Sequence, residues 1–493
     1  MYNFKDMKYV TKSLGLLLCL IVTLAISCKD QHPEKLKGGV ALMNITPPVG
    51  ARLAGHFYEA FSTGVHDSIW AKAIVLEQGN QKFAFVFCDL IGITRDISTQ
   101  ARKLASTATE IPLQNILVAA THSHTGPLFY GFQHTYFHNK AIADDGVDEH
   151  EKADYPDFLI HQIEKAVVKA NESVMPISIE AGVGREDGLS FNRRYYMKNG
   201  TVLFNPGPLN PDIVGPAGPI DPEVGILLLR NAGSKDYMGG LTVFAMHADC
   251  IGGTKMSADY PYYLEQTLKK KFGQQFFSAF SLGPAGDIND VDIKKDQPIY
   301  SDSNTQKIGS TLGQVVIQAV PELKRITQPS FASFSSKILV PLQVPSRAQI
   351  DSADVLINNL YKVSQTGAYI RNAGGESGDF LKRVEMSKYL ALKDQKPAVD
   401  AEVQVFRIDS RTAIVGLPGE IFSELGLDLK KRSPFENTIV MTVCNDRISY
   451  IPTIKAFKEG SYEVTNSIIK PGGGEMLVET AVKLLKEAKD GLK

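Results

Sequence analysis

The chain is poor in cysteine, has a single tryptophan and carries almost no net charge. Cysteine occurs five times in 493 residues. Cys19 sits inside an apolar N-terminal stretch and Cys28 at its end, which leaves Cys88, Cys250 and Cys444 far apart in the chain. Three scattered cysteines exclude a disulfide framework, even if one pair bridges, so stability has to come from a packed core. A net charge of −1 offers no basic surface for a phosphate backbone, and nucleic acid is not an expected partner. There is no internal repeat. The apolar N-terminal run, "LGLLLCLIVTLAIS", is short for a membrane span.

What is present begins with that run. Lys5, Lys8 and Lys12 precede it and Cys28 follows, the layout of a secretory signal. "LAISC" resembles a bacterial lipobox, with Leu24 one place further from Cys28 than the usual pattern. Residues 1–27 are therefore expected to be a lipoprotein-type signal, Cys28 the lipidated first residue, 28–37 a tether and 38–493 the folded domain. The protein would be exported and held on a membrane of the bacterial cell envelope. The alternative is a plain signal peptide cut nearby.

The whole chain is 43% hydrophobic and 22% charged, an ordinary globular composition. Apolar strand-like runs are "KFAFVFCDL", "NILVAA", "ISIEAGVG", "EVGILLLR", "GLTVFAMH", "EVQVFRI", "TAIVGLP" and "NTIVMTV". Helical spacing marks 157–170, 262–273 with Gly273 as its stop, 304–320 ended by Pro321, and about 474–489. The alternation predicts an α+β (mixed α/β) fold. The Pro/Gly-rich stretch 204–222 reads as a long loop beside a site.

Several of the strands run out into residues of ligand type. "NILVAATHSHTGP" ends in His122 and His124, "GLTVFAMH" in His247, "TAIVGLPGE" in Glu420, and "NTIVMTVCNDRISY" reaches Tyr450. Two histidines and one glutamate with an open position form a recurring catalytic zinc set. In an extended chain His122 and His124 point to one side. Spacing alone leaves open that they are surface histidines at a strand's end. Other polar residues have plainer readings. His134, His138 and His150 fall in a polar segment that reads as a solvated loop rather than a second metal site. Asp89 is a capping or supporting residue, Asp287 a turn residue, and Trp70 part of the core.

The motifs "ATHSHTGP", "FAMH", "GPAGDIND", "LPGE" and "CNDRISYIP", with "GVALMNITPPVGARLAG" and "FNRR", occur in the order seen in neutral ceramidases, zinc amidases that cleave the N-acyl bond of ceramide. The resemblance runs from about Gly38 to Ile469. It implies a large layered domain of β-sheets flanked by helices. It implies one Zn2+ per chain on His122, His247, Glu420 and Tyr450, with His124 as acid–base catalyst and Arg193 facing the substrate.

The chain also departs from that family. The family's Gly-Asp-Val-Ser-Pro-Asn motif carries a catalytic serine, and here "GDINDV" places Asn289 in its position. Arg447 replaces a tyrosine three residues before Tyr450. Glu463 matches a Tyr-Glu pair of the family without a visible role. The chain reaches Lys493 soon after the matched region, so a C-terminal immunoglobulin-like domain is expected to be missing. The expected function is zinc-dependent hydrolysis of an amide on a lipid or other small-molecule substrate. The alternatives are an esterase or deacylase acting on a glycan or small polar molecule, and a non-catalytic envelope binding lipoprotein.

Overall fold

The core strands are apolar on both faces, and that pattern dictates the layers. The structure, a computed structural model, describes residues 36–151, 153–296, 300–364 and 378–492. The principal strands of its first sheet are Lys37–Asn44 (β1), Trp70–Gln78 (β2), Gln81–Cys88 (β3), Ile116–Ala120 (β4), Met175–Arg185 (β5), Glu223–Asn231 (β6), Tyr237–Phe244 (β7) and Phe277–Leu282 (β8). Their spatial order is β8-β7-β6-β5-β1-β2-β3-β4, and the short strand Lys324–Arg325 also pairs with β5. The terminal pairs β7/β8 and β3/β4 are parallel, and the other neighbours are antiparallel. The second sheet is Pro329–Pro341 (β9), Ala398–Asp409 (β10), Thr412–Gly416 (β11) and Asn437–Met441 (β12), in that order, with only β11/β12 parallel.

β3 shows why the layers stack as they do. Side chains alternate across a strand, so Phe83, Phe85 and Phe87 face one way while Ala84, Val86 and Cys88 face the other. The phenylalanines meet Phe331, Phe406, Ile408 and Ile414 of the second sheet, with the Phe83–Phe331 and Phe85–Phe406 rings 4.9 Å apart. The small residues meet helices Arg95–Thr109 and Tyr155–Glu172 through Ile97, Ala101, Leu159 and Ile163. The outer face of the second sheet packs Val403, Val405, Ala413 and Val415 against Leu477, Val478, Ala481 and Leu485 of helix Gly473–Asp490. The order is helices, sheet, sheet, helices. Each fully buried Phe in the middle layer contributes roughly 1.5–3 kcal/mol of transfer free energy.

The predicted strands and helices are all present. Gly273 ends its helix at φ +109°, a conformation suited to glycine. Two segments differ from the sequence reading. Residues 134–145 of the polar segment 134–152, expected as a solvated loop, lie in a helix, Gly131–Asp145. Phe137 on it is buried against Ile357, Tyr361 and Leu390 of helices Arg347–Ser364 and Gly378–Leu392, and that packing overrides the polar composition. The long loop gives up Ile213–Pro216 to pair with Arg194–Met197. Cys88, Cys250 and Cys444 are buried free thiols. The signal, Cys28 and most of the tether lie outside the described residues. Among the described residues no helix is long and apolar enough to cross a membrane.

One connection positions the site. The segment after β12 hydrogen-bonds to both end strands of the first sheet. Asn445 N donates to Val118 O at 2.7 Å, Ala120 N to Val443 O at 3.3 Å, and Thr442 N to Leu282 O at 2.9 Å. The C-terminal ends of β4, β7, β11 and β12 therefore converge.

Candidate metal centre and active site

The chain leaves strand geometry abruptly where those ends meet. His122 adopts φ +69°, Val443 +53°, Asn445 +58° and Ser449 +63°. Left-handed backbone in non-glycine residues costs about 1–3 kcal/mol each and gathers at functional sites. His122 is held there by its N–H on Leu90 O at 2.9 Å. The two histidines of the Thr-His-Ser-His run thus reach one place through a tight turn, not through the pleat of an extended strand.

Their ring nitrogens meet two other side chains. His122 Nε2 lies 3.3 Å from Glu420 Oε2, and His247 Nε2 lies 3.5 Å from the same oxygen. His124 Nε2 lies 3.4 Å from His122 Nε2. Donors about 2.0–2.1 Å from a tetrahedral zinc stand about 3.3–3.4 Å from one another. His122, His124 and His247 form a cluster of potential ligand atoms by themselves. Both ring nitrogens of His247 and Oε2 of Glu420 are buried without a hydrogen-bond partner, which is costly unless a cation completes the set. The residues fit a metal ion.

Supporting contacts prepare the donors. His122 Nδ1 is 2.7 Å from Ile91 O. A carbonyl only accepts, so Nδ1 carries the proton and Nε2 offers its lone pair. Burial, then the Arg193 charge, lowers the His247 imidazole to about 3, which keeps it neutral. Burial pushes the Glu420 carboxyl up, but His122, His247 and Arg447 outweigh it and hold it well below the usual range. Arg447 Nη2 sits 3.3 Å from Glu420 Oε1, so the guanidinium faces one carboxylate oxygen and the two imidazoles face the other. Tyr450 is paired to Glu420 across a short parallel ladder. Its ring lies nearly parallel to that of His247, with centroids 6.4 Å apart, and burial first, then Glu420, raises its phenol.

His124 is held from behind. Its Nδ1 is 3.2 Å from Asp249 Oδ2. Gly55, at φ +86°, lies against its ring, and a Cβ there would come within 2.7 Å of it. Asp249 and Gly55 were missed by sequence reasoning. The signal for Asp249 was its place two residues after His247 in "FAMHAD".

Arg193 lines the cavity beside this cluster. Its Nε donates to Glu463 Oε1 and its Nη2 to Gly286 O, both at 2.8 Å. The guanidinium lies over the rings of Phe204, Tyr450 and Tyr462 at 5.2, 5.3 and 5.9 Å. Fully buried Glu463 also accepts from Arg194 Nη1 at 3.0 Å. It bridges the two arginines, a role not visible in the sequence, and Glu459 Oε2, 3.3 Å from Arg194 Nη2, supplies the second negative charge. Asn289 stands one layer back: its Nδ2 donates to Asn205 Oδ1 at 3.2 Å, and its Oδ1 accepts from Val291 N at 3.2 Å. Asp287 accepts from Ser423 N at 2.8 Å and Asn192 Nδ2 at 2.7 Å, so it ties two distant segments together rather than bonding the backbone of its own turn. Asp89 accepts from Trp70 N at 2.9 Å, and Trp70 is half-buried at the start of β2.

The cavity over the cluster measures about 320 Å³, and His124, Arg193, Asn205, Asp249 and Tyr450 are in its wall. A cavity of about 870 Å³ between helix Gly131–Asp145 and helices Arg347–Ser364 and Gly378–Leu392 holds none of the candidate residues. A second group of ligand-type residues lies elsewhere. His138 Nδ1 is 2.9 Å from Asp148 Oδ2 and 2.7 Å from Glu151 Oε2. Buried Arg52 already occupies the same Asp148 oxygen at 2.5 Å, so this group is an ion-pair network tying residue 52 to helix Gly131–Asp145.

The profile described as "Neutral/alkaline non-lysosomal ceramidase, N-terminal" matches residues 37–293. The chain belongs to this family. His122, His124, Arg193, His247 and Asn289 lie within the match, whereas Glu420 and Tyr450 lie beyond it and are brought in by the fold. The neutral ceramidase of Pseudomonas aeruginosa is 25% identical over 310 residues, 60% of this chain and 43% of that protein. The chain thus spans less than half the length of this curated relative. The crystal structure of that organism's neutral ceramidase aligns over 93% of this chain and 75% of its own, at TM-score 0.69 and 17% identity. A ceramidase complexed with C2 aligns over 93% and 76%, at TM-score 0.70 and 17% identity. These likenesses show a shared layered fold of sheets and helices.

Proposed function

We propose that the chain is a zinc-dependent hydrolase that cleaves an amide (N-acyl) bond with a metal-activated water. The observation that carries the reading is the meeting of His122, His247 and Glu420 at tetrahedral-edge distances, with His247 Nε2 and Glu420 Oε2 left without hydrogen-bond partners. These three residues would hold the ion, with Tyr450 beside them. A bound zinc supplies a water whose pKa is about 7 and polarises a carbonyl.

The chain's own groups do the rest. His124 Nε2 takes a proton from the attacking water and returns it to the leaving amine nitrogen, and Asp249 holds the ring through Nδ1. Arg193, held by Glu463, packs against Tyr450 and fixes its ring. The aromatic wall of Phe57, Phe204, Phe380 and Tyr462 keeps bulk water off the reacting atoms. Asn289 has no nucleophilic oxygen, and a water route needs none.

A second reading, hydrolysis of an O-acyl ester on a small polar molecule, is favoured by Asn289 and Arg447 in place of the family's serine and tyrosine. Attachment to the bacterial envelope through Cys28 belongs to the same proposal and rests on the "LAISC" string. The test is amine release from N-acyl substrates beside acid release from matched esters, before and after chelation and zinc return. Amide turnover lost on chelation and restored by zinc is expected. Turnover indifferent to chelation would overturn the metal reading, and turnover of esters alone would select the second reading.

A further inference from the structure

We infer that Arg447 is a positioning residue that keeps Glu420 a one-oxygen ligand, and so limits the number of donors the chain offers to the metal. The inference rests on the metal-centre reading above and concerns how this chain builds that centre.

Glu420 is fully buried, and its two carboxylate oxygens have different neighbours. Oε2 lies 3.3 Å from His122 Nε2 and 3.5 Å from His247 Nε2. Oε1 accepts from Arg447 Nη2 at 3.3 Å. A carboxylate that grips an ion with both oxygens must turn both toward it. Here a permanent positive charge stands against Oε1. An ion sharing that oxygen would be pressed toward the guanidinium, and two positive charges repel strongly where water is scarce. Glu420 therefore presents Oε2 alone. The Arg447 side chain is 27% exposed, so it stays partly solvated and avoids much of the cost of burying a charge.

The backbone fixes this arrangement. Gly419 N donates to Asp446 O at 3.1 Å, and Glu420 N donates to Ser449 O at 2.9 Å. The two bonds straddle residue 447 and tie its loop to that of Glu420. Gly92 lies against the arginine stem. A Cβ at Gly92 would collide with Arg447 Cδ and come within 2.7 Å of Tyr130 Oη. The backbone of Gly92 is not left-handed, so the glycine is there for space. The two residues before it hold His122: Leu90 O accepts from His122 N at 2.9 Å, and Ile91 O lies 2.7 Å from His122 Nδ1. The short segment 90–92 thus aims His122 directly and Glu420 through Arg447, as outer groups do around a metal. Two imidazoles and one carboxylate oxygen suit zinc, which works with few donors. Ions that call for six or more oxygens find the set short.

The experiment uses the purified full chain, stripped of metal and reloaded with zinc, cobalt(II) or manganese(II). Wild type, Arg447→Met, Arg447→Lys and Gly92→Ala are compared. Visible absorption per bound cobalt falls as donors are added, and competition with a chelator gives the affinities for zinc and manganese. Arg447→Met and Gly92→Ala should both show weaker absorption per cobalt. Their manganese-to-zinc affinity ratio should rise roughly tenfold, because the second carboxylate oxygen is released. Arg447→Lys keeps the charge without the planar fork and should fall between them and wild type. A merely structural arginine would lower the thermal midpoint and leave the cobalt spectrum unchanged. Spectra and affinity ratios unchanged in folded Arg447→Met and Gly92→Ala would overturn the inference while the metal reading stands. If Arg447→Met does not fold, Gly92→Ala and Arg447→Lys decide by the same two readouts. A wild type that binds none of the three ions removes the metal reading and this inference with it.

Discussion

Replacing Gly55 by alanine probes the placement of His124 without touching any atom of the metal set. The added Cβ would fall 2.7 Å from His124 Cβ and Nδ1, where ordinary contact begins near 3.4 Å. The ring has to retreat by roughly 0.7 Å, carrying Nδ1 away from Asp249 and Nε2 away from the reaction site. A displacement near 1 Å costs a positioned catalytic group on the order of 100-fold, so kcat should fall by roughly 10- to 100-fold. Residue 55 sits at φ +86°, and alanine there should also cost about 1–2 kcal/mol of stability. Turnover, zinc content and the thermal midpoint are read on one preparation. The expected result is a slow, slightly destabilised enzyme with its zinc intact. Turnover within about twofold of wild type would show that His124 needs no such placement, and loss of zinc would make His124 a ligand.

Three further outcomes are expected. Phe406→Ala removes a ring that packs on both Phe83 and Phe85 between the sheets, and denaturant unfolding should show a loss of about 3–5 kcal/mol. Cys28→Ser should move the mature protein from the membrane fraction to the soluble fraction, as immunoblotting of fractionated cells would show; retention in the membrane would end the anchor proposal. Asp89 and Asp290 are both pushed from 3.8 up to about 7, mainly by burial. The folded state then holds protons that the unfolded state has lost, so stability should fall as pH rises from about 4 to about 7. Asp290→Asn should flatten that slope in urea midpoints, and an unchanged slope would refute its part in it.

Much of this was legible in the sequence where one physical rule dominates. β3 is apolar at every buried position because it has a sheet on one side and helices on the other, and its alternation of Phe with small residues already separates the two faces. His122, His247, Glu420 and Tyr450 were visible as ligand-type residues at the ends of such strands. Three things were not legible. The turn at His122 has no glycine or proline to announce its left-handed backbone, because long-range hydrogen bonds impose it. Helix Gly131–Asp145 is polar over most of its surface, and its order comes from partners more than 200 residues away. The aromatic wall joins Phe57, Phe204, Phe380 and Tyr462 from four separate segments, none with a local signature. Gly55 is similar: its left-handed backbone and the His124 ring packed against it explain the missing side chain, and neither has a local signature.

The central claim is that His122, His247 and Glu420 hold one zinc while His124 handles the proton. It is tested most directly by the zinc content and turnover of purified wild type, His122→Ala and His124→Ala. The account predicts about one zinc per chain in the wild type. It predicts loss of zinc and turnover together in His122→Ala. In His124→Ala it predicts full zinc with turnover slowed by roughly 100-fold or more. Full zinc in His122→Ala with none in His124→Ala would reverse the two roles, and a wild-type protein that binds no zinc would contradict the account.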